Sequence, residues 1–377
     1  MNKLEAFGTN IFSTMSALAK EHNAVNLAQG FPDFEPDPRL IEFAHQAMKD
    51  GHNQYAPMIG LPALREEIAN KTKECYQFFP NPDTEITITS GATEAVFSTI
   101  MSVVNTGDEV IIFEPAFDIY LPAIHLAGGK AVPIPLDFPN FNINFELLEK
   151  NISPKTKLII LNSPHNPTGS VVPKEDFEKL AKIIENKDIF LLSDEVYEHI
   201  VFDNQQHFSA LQNEILRQKS FVISSLGKTY HLTGWRVGYV IAPEKLSKQF
   251  RSVHQFNTFA VHTPSQLAFS KILAFKDLYQ NLSAFIQAKR DLFLANMENS
   301  GFEPIKSQGT YFQLMSYKNI SSQNDVDFAK QLVTQNGVAS IPVSVFYTHK
   351  KDDKIIRFCI AKKDETLQKA TEKLCKI

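Results

Sequence analysis

Cysteine is scarce: Cys75, Cys359 and Cys375 are the only three in 377 residues. Their number is odd, and their spacing is neither CxxC nor that of a metal cluster. This excludes a disulfide framework or a zinc-finger-type centre and fits reduced thiols. No stretch approaches the ~18 consecutive apolar residues that a membrane helix needs. The opening MNKLEAFGTNIFSTMSALAKEHN has no uninterrupted apolar run followed by a small-residue cleavage site, so a soluble, cytoplasmic protein is expected. A surplus of positive charge is also missing. The formal net charge is −4 and the basic residues are scattered, which argues against tracking a nucleic-acid backbone. Internal repeats and low-complexity segments are absent.

What is present is alternation. Short apolar, β-branched runs are separated by turn residues and amphipathic stretches: EITITS (85–90), DEVIIFEP (108–115), GKAVPIPL (129–136), TKLIILN (156–162), DIFLLSDE (188–195), SFVISS (220–225) and RVGYVIA (236–242). PKEDFEKLAKIIEN (173–186) has helical periodicity between two of them. Buried strands with helical crossovers predict an α/β fold whose large domain has a mostly parallel central sheet flanked by helices. A long helical tract spans 264–298, and beyond it the texture becomes strand-helix-strand-helix, which predicts a smaller α+β domain. The expected division is 40–284 for the large domain, with 1–39 and 285–377 forming an N-terminal arm plus the small domain. At 377 residues, more than one core is the natural expectation. The arm contains FPDFEPDPRL, whose prolines favour an extended path across the smaller domain.

Ligands of an open α/β sheet bind beyond the carboxyl ends of its strands, so the residues there carry the functional reading. EITITS runs into SGATEA, where Gly91 allows a tight turn and Ala92 and Thr93 open a helix whose N-terminus suits an anion; an ordinary helix cap is the plainer alternative. TKLIILN ends in NSPHNPTG, where prolines stiffen the loop carrying Asn166. DIFLLSDEVY places Asp194 at the end of an apolar run, with Tyr197 three residues on. A carboxylate there is costly unless a basic or hydrogen-bonding group meets it. SSLGKTYHLTGWRVGY sets Ser225, Lys228 and Arg236 in a loop between two core strands. A lone loop lysine is most often a solvated side chain, but one desolvated beside other cations becomes a nucleophilic amine. An anion-binding helix start, a buried carboxylate, a rigid asparagine, a tyrosine, a lysine and an arginine together are what a pyridoxal phosphate site requires.

NQYAP, SGATEA, EPAFDIY, NSPHNPTG, SDEVY, SSLGKTYHLTGWRVGY and IIRFC occur in this order along the chain, which thereby resembles the class I/II pyridoxal phosphate aminotransferases of fold type I. VNLAQGFPDF, NQYAPMIG and SDEVYEHI are most similar to the branch holding methionine aminotransferases and kynurenine–oxoglutarate (glutamine K) transaminases. The resemblance implies that Lys228 is the covalent anchor and proton shuttle, and that Asp194 pairs with the pyridine nitrogen. Asn166 and Tyr197 would face the ring oxygen, and Phe117 would stack on the ring. Ser225, Arg236 and the Gly91-Ala92-Thr93 turn would hold the phosphate, with Tyr55 reaching in from the other subunit of a homodimer. Arg357 would clamp the substrate carboxylate, helped by Gly30 and Asn166, while Phe12 and His262 would border the substrate. On residue type alone Phe117 and Tyr55 are core side chains, Arg357 a strand-edge charge and His262 a solvated histidine.

Phenylalanine is frequent, at 30 residues, and Phe12, Phe31, Phe256, Phe259 and Phe346 lie near expected site segments. An aromatic lining favours an apolar amino-acid side chain over a second carboxylate. The expected reaction moves the amino group of methionine, and also of aromatic amino acids, glutamine or kynurenine, to a 2-oxo acid by a ping-pong route. A cysteine-S-conjugate or cystathionine β-lyase on the same fold is the alternative. A transcriptional regulator with an aminotransferase-like sensor would need a basic helix-turn-helix unit, and the roughly 25 residues before the first motif do not resemble one.

Overall fold

The seven apolar runs form one sheet in a computed structural model that describes residues 4–7 and 10–377. The spatial order is Ile86–Thr89, Gly238–Ile241, Ser220–Ser225, Phe190–Asp194, Thr156–Asn162, Glu109–Glu114 and Lys130–Pro135. The neighbours from Ser220–Ser225 through Lys130–Pro135 pair in parallel. Gly238–Ile241 runs antiparallel to both of its neighbours. Apolar residues occur at consecutive positions because both faces of the sheet are covered. Val110, Ile112, Leu158 and Ile160 enter one core, while Ile111, Phe113, Ile159 and Leu161 enter the other.

The helical tract 264–298 is divided into Thr263–Ile272, Asp277–Gln280 and Leu282–Met297. The expected divide at 285 falls inside the last of these. That helix belongs to both sides: Gln287 accepts from the Asp203 backbone, whereas Phe293 rests on Phe358, their ring centroids 5.6 Å apart. The second sheet consists of Ile341–Pro342, Ile355–Cys359, Phe312–Ser316 and Glu303–Pro304, all antiparallel. The N-terminal segment packs against this part of the chain. Val25–Asn26 pairs in parallel with Val338–Ala339, and Asp33 accepts from Lys363 N and from Thr366 Oγ1.

Behind the carboxyl ends of the central strands lies a buried charged network. Lys71 Nζ stands 2.7 Å from Glu198 Oε1 and donates to Tyr239 Oη at 2.8 Å. Ser224 donates to the same carboxylate at 2.6 Å, and Tyr76 donates to its other oxygen. The pair therefore ties the helix Pro62–Tyr76 to the turn after Asp194 and to the two strands that flank the Lys228 segment. Burying two charges is tolerable only because each is paired and hydrogen-bonded, and removing one partner strands the other. Lys71→Met is expected to destabilise the chain by about 3–5 kcal/mol, read as a lower urea midpoint, whereas Lys73→Met on the exposed face of the same helix leaves the midpoint within error.

Candidate active site

The parallel strands end on one side of the sheet, and the segments that follow them wall a cleft of about 200 Å³. Its lining includes Phe12, Gly30, Ala92, Thr93, Phe117, Asn166, Asp194, Tyr197, Ser225, Lys228, Arg236 and Arg357, which the sequence singled out. Gly91 lies directly behind Ala92. Tyr55 and His262 are not brought to the cleft by this chain: Tyr55 is 84% exposed and packs edge-on against Phe259, and His262 stands just before the helix Thr263–Ile272 with its Nδ1 hydrogen-bonded to the Ser265 hydroxyl.

Lys228 is carried on a single helical turn, Leu226–Thr229, rather than in an irregular loop, and the Ser225 hydroxyl accepts from the Lys228 backbone at 3.3 Å. Its amine donates to Tyr311 Oη at 2.6 Å and to the Gly30 carbonyl at 3.2 Å. Withdrawal from water, reinforced by Arg236 and Arg357, pulls its pKa down to about 8 against the opposing influence of Cys359 and Asp194. A substantial neutral fraction near physiological pH suits a nucleophile.

Asp194 ends its strand fully buried. Tyr120 Oη donates to Asp194 Oδ2 at 2.6 Å, and the Val196 N–H reaches Oδ1 at 3.4 Å. These bonds offset burial only in part, and the carboxyl is pushed up to about 6. Asn162, the last residue of TKLIILN, organises the floor: its side chain donates to the Asp194 carbonyl at 2.8 Å and accepts from the Asn166 N–H at 2.8 Å. Tyr120 and Asn162 were not singled out from the sequence. The polar end of an otherwise apolar strand was a signal for Asn162, and only the fold brings Tyr120 to a carboxylate 74 residues away.

Arg357, on the small-sheet strand Ile355–Cys359, is buried inside an aromatic enclosure. Its guanidinium carbon lies 3.8 Å from the Phe312 ring centroid, 5.0 Å from that of Phe12 and 5.4 Å from that of Phe346. It donates to Asn166 Oδ1 at 2.7 Å and to the Ala28 carbonyl at 3.2 Å, while its Nε has no protein partner. Burial lowers its pKa to about 10, so it remains charged at neutral pH. Of the phenylalanines named from sequence, Phe12 and Phe346 serve this site. Phe256 and Phe259 lie exposed, and Phe31 packs under Lys362.

Gly91 adopts φ +73°, and a Cβ there would lie 2.5 Å from the Arg236 guanidinium. Arg236 itself has φ +53° and reaches Thr93 Oγ1 at 3.4 Å. The helix Gly91–Val103 has Ser90 at its N-cap with no side-chain hydrogen bond to the first-turn amides. A guanidinium, free amides and the positive helix end thus converge where a phosphate would sit. Among the described residues no lysine or arginine forms an ion pair with Asp194, and Lys228 acts on it only at longer range, which suits a protonated ring nitrogen, and the orphaned Arg357 Nε suits a carboxylate. The residues present fit pyridoxal phosphate and an amino-acid substrate.

This fold and cleft are those of a fold type I aminotransferase. The family model for aminotransferase class I and II matches residues 22–374, and the chain belongs to that family. It is 46% identical over 374 residues to a methionine aminotransferase of Escherichia coli, covering 99% of this chain and 97% of the relative. It is 35% identical to a kynurenine–oxoglutarate transaminase of Dictyostelium discoideum, covering 99% and 95%. The crystal structure of YbdL from Escherichia coli, identified with a methionine aminotransferase function, superposes with TM-score 0.98 at 45% identity, over 100% of this chain and 99% of that one. No helix among the described residues is long and apolar enough to cross a membrane.

The raised pKa of Asp194 sets a stability dependence on pH. A carboxyl whose folded value of about 6 exceeds its ordinary value of 3.8 stabilises the fold below 3.8 and loses that contribution as pH rises through 6. Above pH 6 the ionised form is a burden on the cofactor-free chain. Asp194→Asn keeps the bond to Tyr120 and is expected to raise the melting point of the cofactor-free protein at pH 8 more than at pH 5. The difference between the two pH values corresponds to about 1.4 kcal/mol, and equal melting shifts at the two pH values would refute the burial argument.

Proposed function

We propose that the chain is a pyridoxal 5′-phosphate-dependent aminotransferase that takes the amino group of methionine, and also of aromatic amino acids, glutamine or kynurenine, and delivers it to a 2-oxo acid. The observation that supports this most is the convergence of Lys228, Asp194 and Arg357, from three separate segments, on one cleft. Pyridoxal phosphate, when bound, supplies an electron sink that makes the α-proton of an amino acid removable.

The chain's residues divide the remaining work. Lys228 anchors the cofactor and, as a free amine, carries the α-proton on Nζ. Asp194 would hold the positive charge of the ring nitrogen, and Asn166 and Tyr197 would meet the ring oxygen. Phe117 would cover the ring, and Ser225, Arg236 and the Gly91-Ala92-Thr93 turn would hold the phosphate. Arg357 takes the substrate carboxylate bidentately, its planar fork oriented by Asn166. Gly30 closes the near wall, and the aromatic side chains around Arg357 leave an apolar setting for a thioether or aromatic side chain.

A homodimer in the cytoplasm completes the reading. Tyr55, Phe256 and Phe259 are exposed at 84%, 88% and 47%, an aromatic surface suited to a second copy whose Tyr55 and His262 would reach this cleft. The relatives described above are named for amino transfer, which favours transamination over β-elimination.

The purified protein is expected to show a yellow absorbance that L-methionine bleaches and a 2-oxo acid restores. Protein that stays colourless with added pyridoxal phosphate would overturn the cofactor assignment. A persistent band with pyruvate and ammonia released from a cysteine conjugate would overturn transfer. Arg357→Lys keeps the charge but loses the fork, and a lost charged hydrogen bond of about 2 kcal/mol predicts a kcat/KM for methionine lower by roughly 30-fold, carried mainly by KM in steady-state assays.

A further inference from the structure

We infer that Tyr311 is a positioning residue for the reactive amine: its hydroxyl and the Gly30 carbonyl form a dock that receives Lys228 Nζ whenever the lysine is not covalently engaged. The inference rests on the reading of Lys228 given above and assigns a role to a residue that reading does not use. Tyr311 is 1% exposed. Its hydroxyl donates to the Gly30 carbonyl at 2.6 Å, which commits the phenolic proton and turns the oxygen lone pairs towards Lys228 Nζ, also 2.6 Å away. The amine makes a second bond to the same Gly30 carbonyl at 3.2 Å. Two acceptors on one side of an ammonium fix its direction, and charge strengthens both bonds.

The backbone is arranged to deliver this hydroxyl. Thr310, fully buried, adopts φ +66°, an unfavourable conformation for a β-branched residue. Its neighbours hold it there: Thr310 N donates to the Ile200 carbonyl at 2.9 Å, Gly309 N to the Gly169 carbonyl at 2.9 Å, and Ile360 N to the Tyr311 carbonyl at 2.9 Å. A Cβ at position 309 would lie 2.6 Å from the Ile200 carbonyl, so glycine is required for the approach. The ring of Tyr311 is braced edge-on by Tyr197, with centroids 5.1 Å apart, and by Phe312 at 4.9 Å. Consecutive residues of one strand entrance thereby serve two functional groups, Tyr311 the amine and Phe312 the Arg357 guanidinium.

Other groups around the amine set the sign of the effect. Asp194 and Tyr197 follow the central strand, Arg357 and Cys359 lie on the strand Ile355–Cys359, and Arg236 approaches from the phosphate side. The arginines disfavour the ammonium, and Asp194 favours it. Removing the Tyr311 hydroxyl removes an acceptor from the ammonium, so the neutral amine gains.

The test compares wild type with Tyr311→Phe, which retains the ring, using full-length protein in two states. In cofactor-resolved protein, labelling of Lys228 by an amine-selective reagent is followed against pH by peptide mass mapping. Its midpoint is expected to fall by about half to one pH unit. In cofactor-loaded protein, kcat for L-methionine is expected to fall roughly 10- to 100-fold with KM within about twofold, and the α-deuterium isotope effect to rise, as proton transfer by a poorly held amine becomes limiting. 3-Fluorotyrosine at position 311, nearly isosteric and a weaker acceptor, should shift the midpoint the same way by less. It supplies the answer if Tyr311→Phe melts early. An unchanged midpoint and kcat overturn the dock. If borohydride fixes no cofactor on Lys228 in wild type, the reading of Lys228 itself has failed, and the dock falls with it.

Discussion

The hydrogen bond from Arg357 to Asn166 joins the two sheets across the cleft, and the arrangement of the site depends on it. Asn166 belongs to a proline-stiffened turn at the end of a central strand, and Arg357 to the middle strand of the small sheet's three-strand antiparallel core. Asn162 braces the turn from below, and Phe312 and Phe12 support the guanidinium. A bond between a neutral amide and a buried cation is strong because neither partner has water to fall back on. It also leaves part of the guanidinium uncommitted, which is what a carboxylate-binding site requires.

The electrostatic design follows from taking three ionisable groups out of water close together. Lys228 is pulled below and Asp194 pushed above its ordinary value, with burial the largest cause in both. The shifts draw the amine and the carboxyl towards neutrality from opposite sides, the pattern by which one fold tunes an acid and a base for a common pH. By contrast, Glu198, immediately after Tyr197 and its neighbours, is equally buried yet held ionised by Lys71. Burial alone does not decide the charge state; the presence of a committed partner does.

Much of this was legible in the chain itself. Strands buried on both faces appear as unbroken apolar runs, and the functional residues interrupt those runs at their carboxyl ends, so Asn166, Asp194 and Lys228 could be picked out as departures from pattern. Asn162, the polar end of its run, carried the same signal without being singled out, whereas Tyr120 and Tyr311 could not be assigned roles this way. A tyrosine in EPAFDIY or GTYFQLMSY looks like any half-buried aromatic, and only the crossing of distant segments gives its hydroxyl a partner. The phenylalanines show the same limit: Phe346 and Phe256 look equally promising in sequence, yet one encloses Arg357 and the other lies on the outer surface. The single helical turn bearing Lys228 was also missed, because four residues are too few to show a helical period.

The cradle at Gly91 and Arg236 has a consequence for how the chain persists in a cell. A guanidinium and the positive end of a helix brought together raise the free energy of the folded chain, and an anionic ligand that binds only the folded form offsets this by mass action. Folded lifetime then becomes a readout of ligand supply: scarcity exposes the chain to unfolding and proteolysis, and abundance protects it. A geometry suited to a phosphate would thereby also couple the amount of protein to the supply of that ligand.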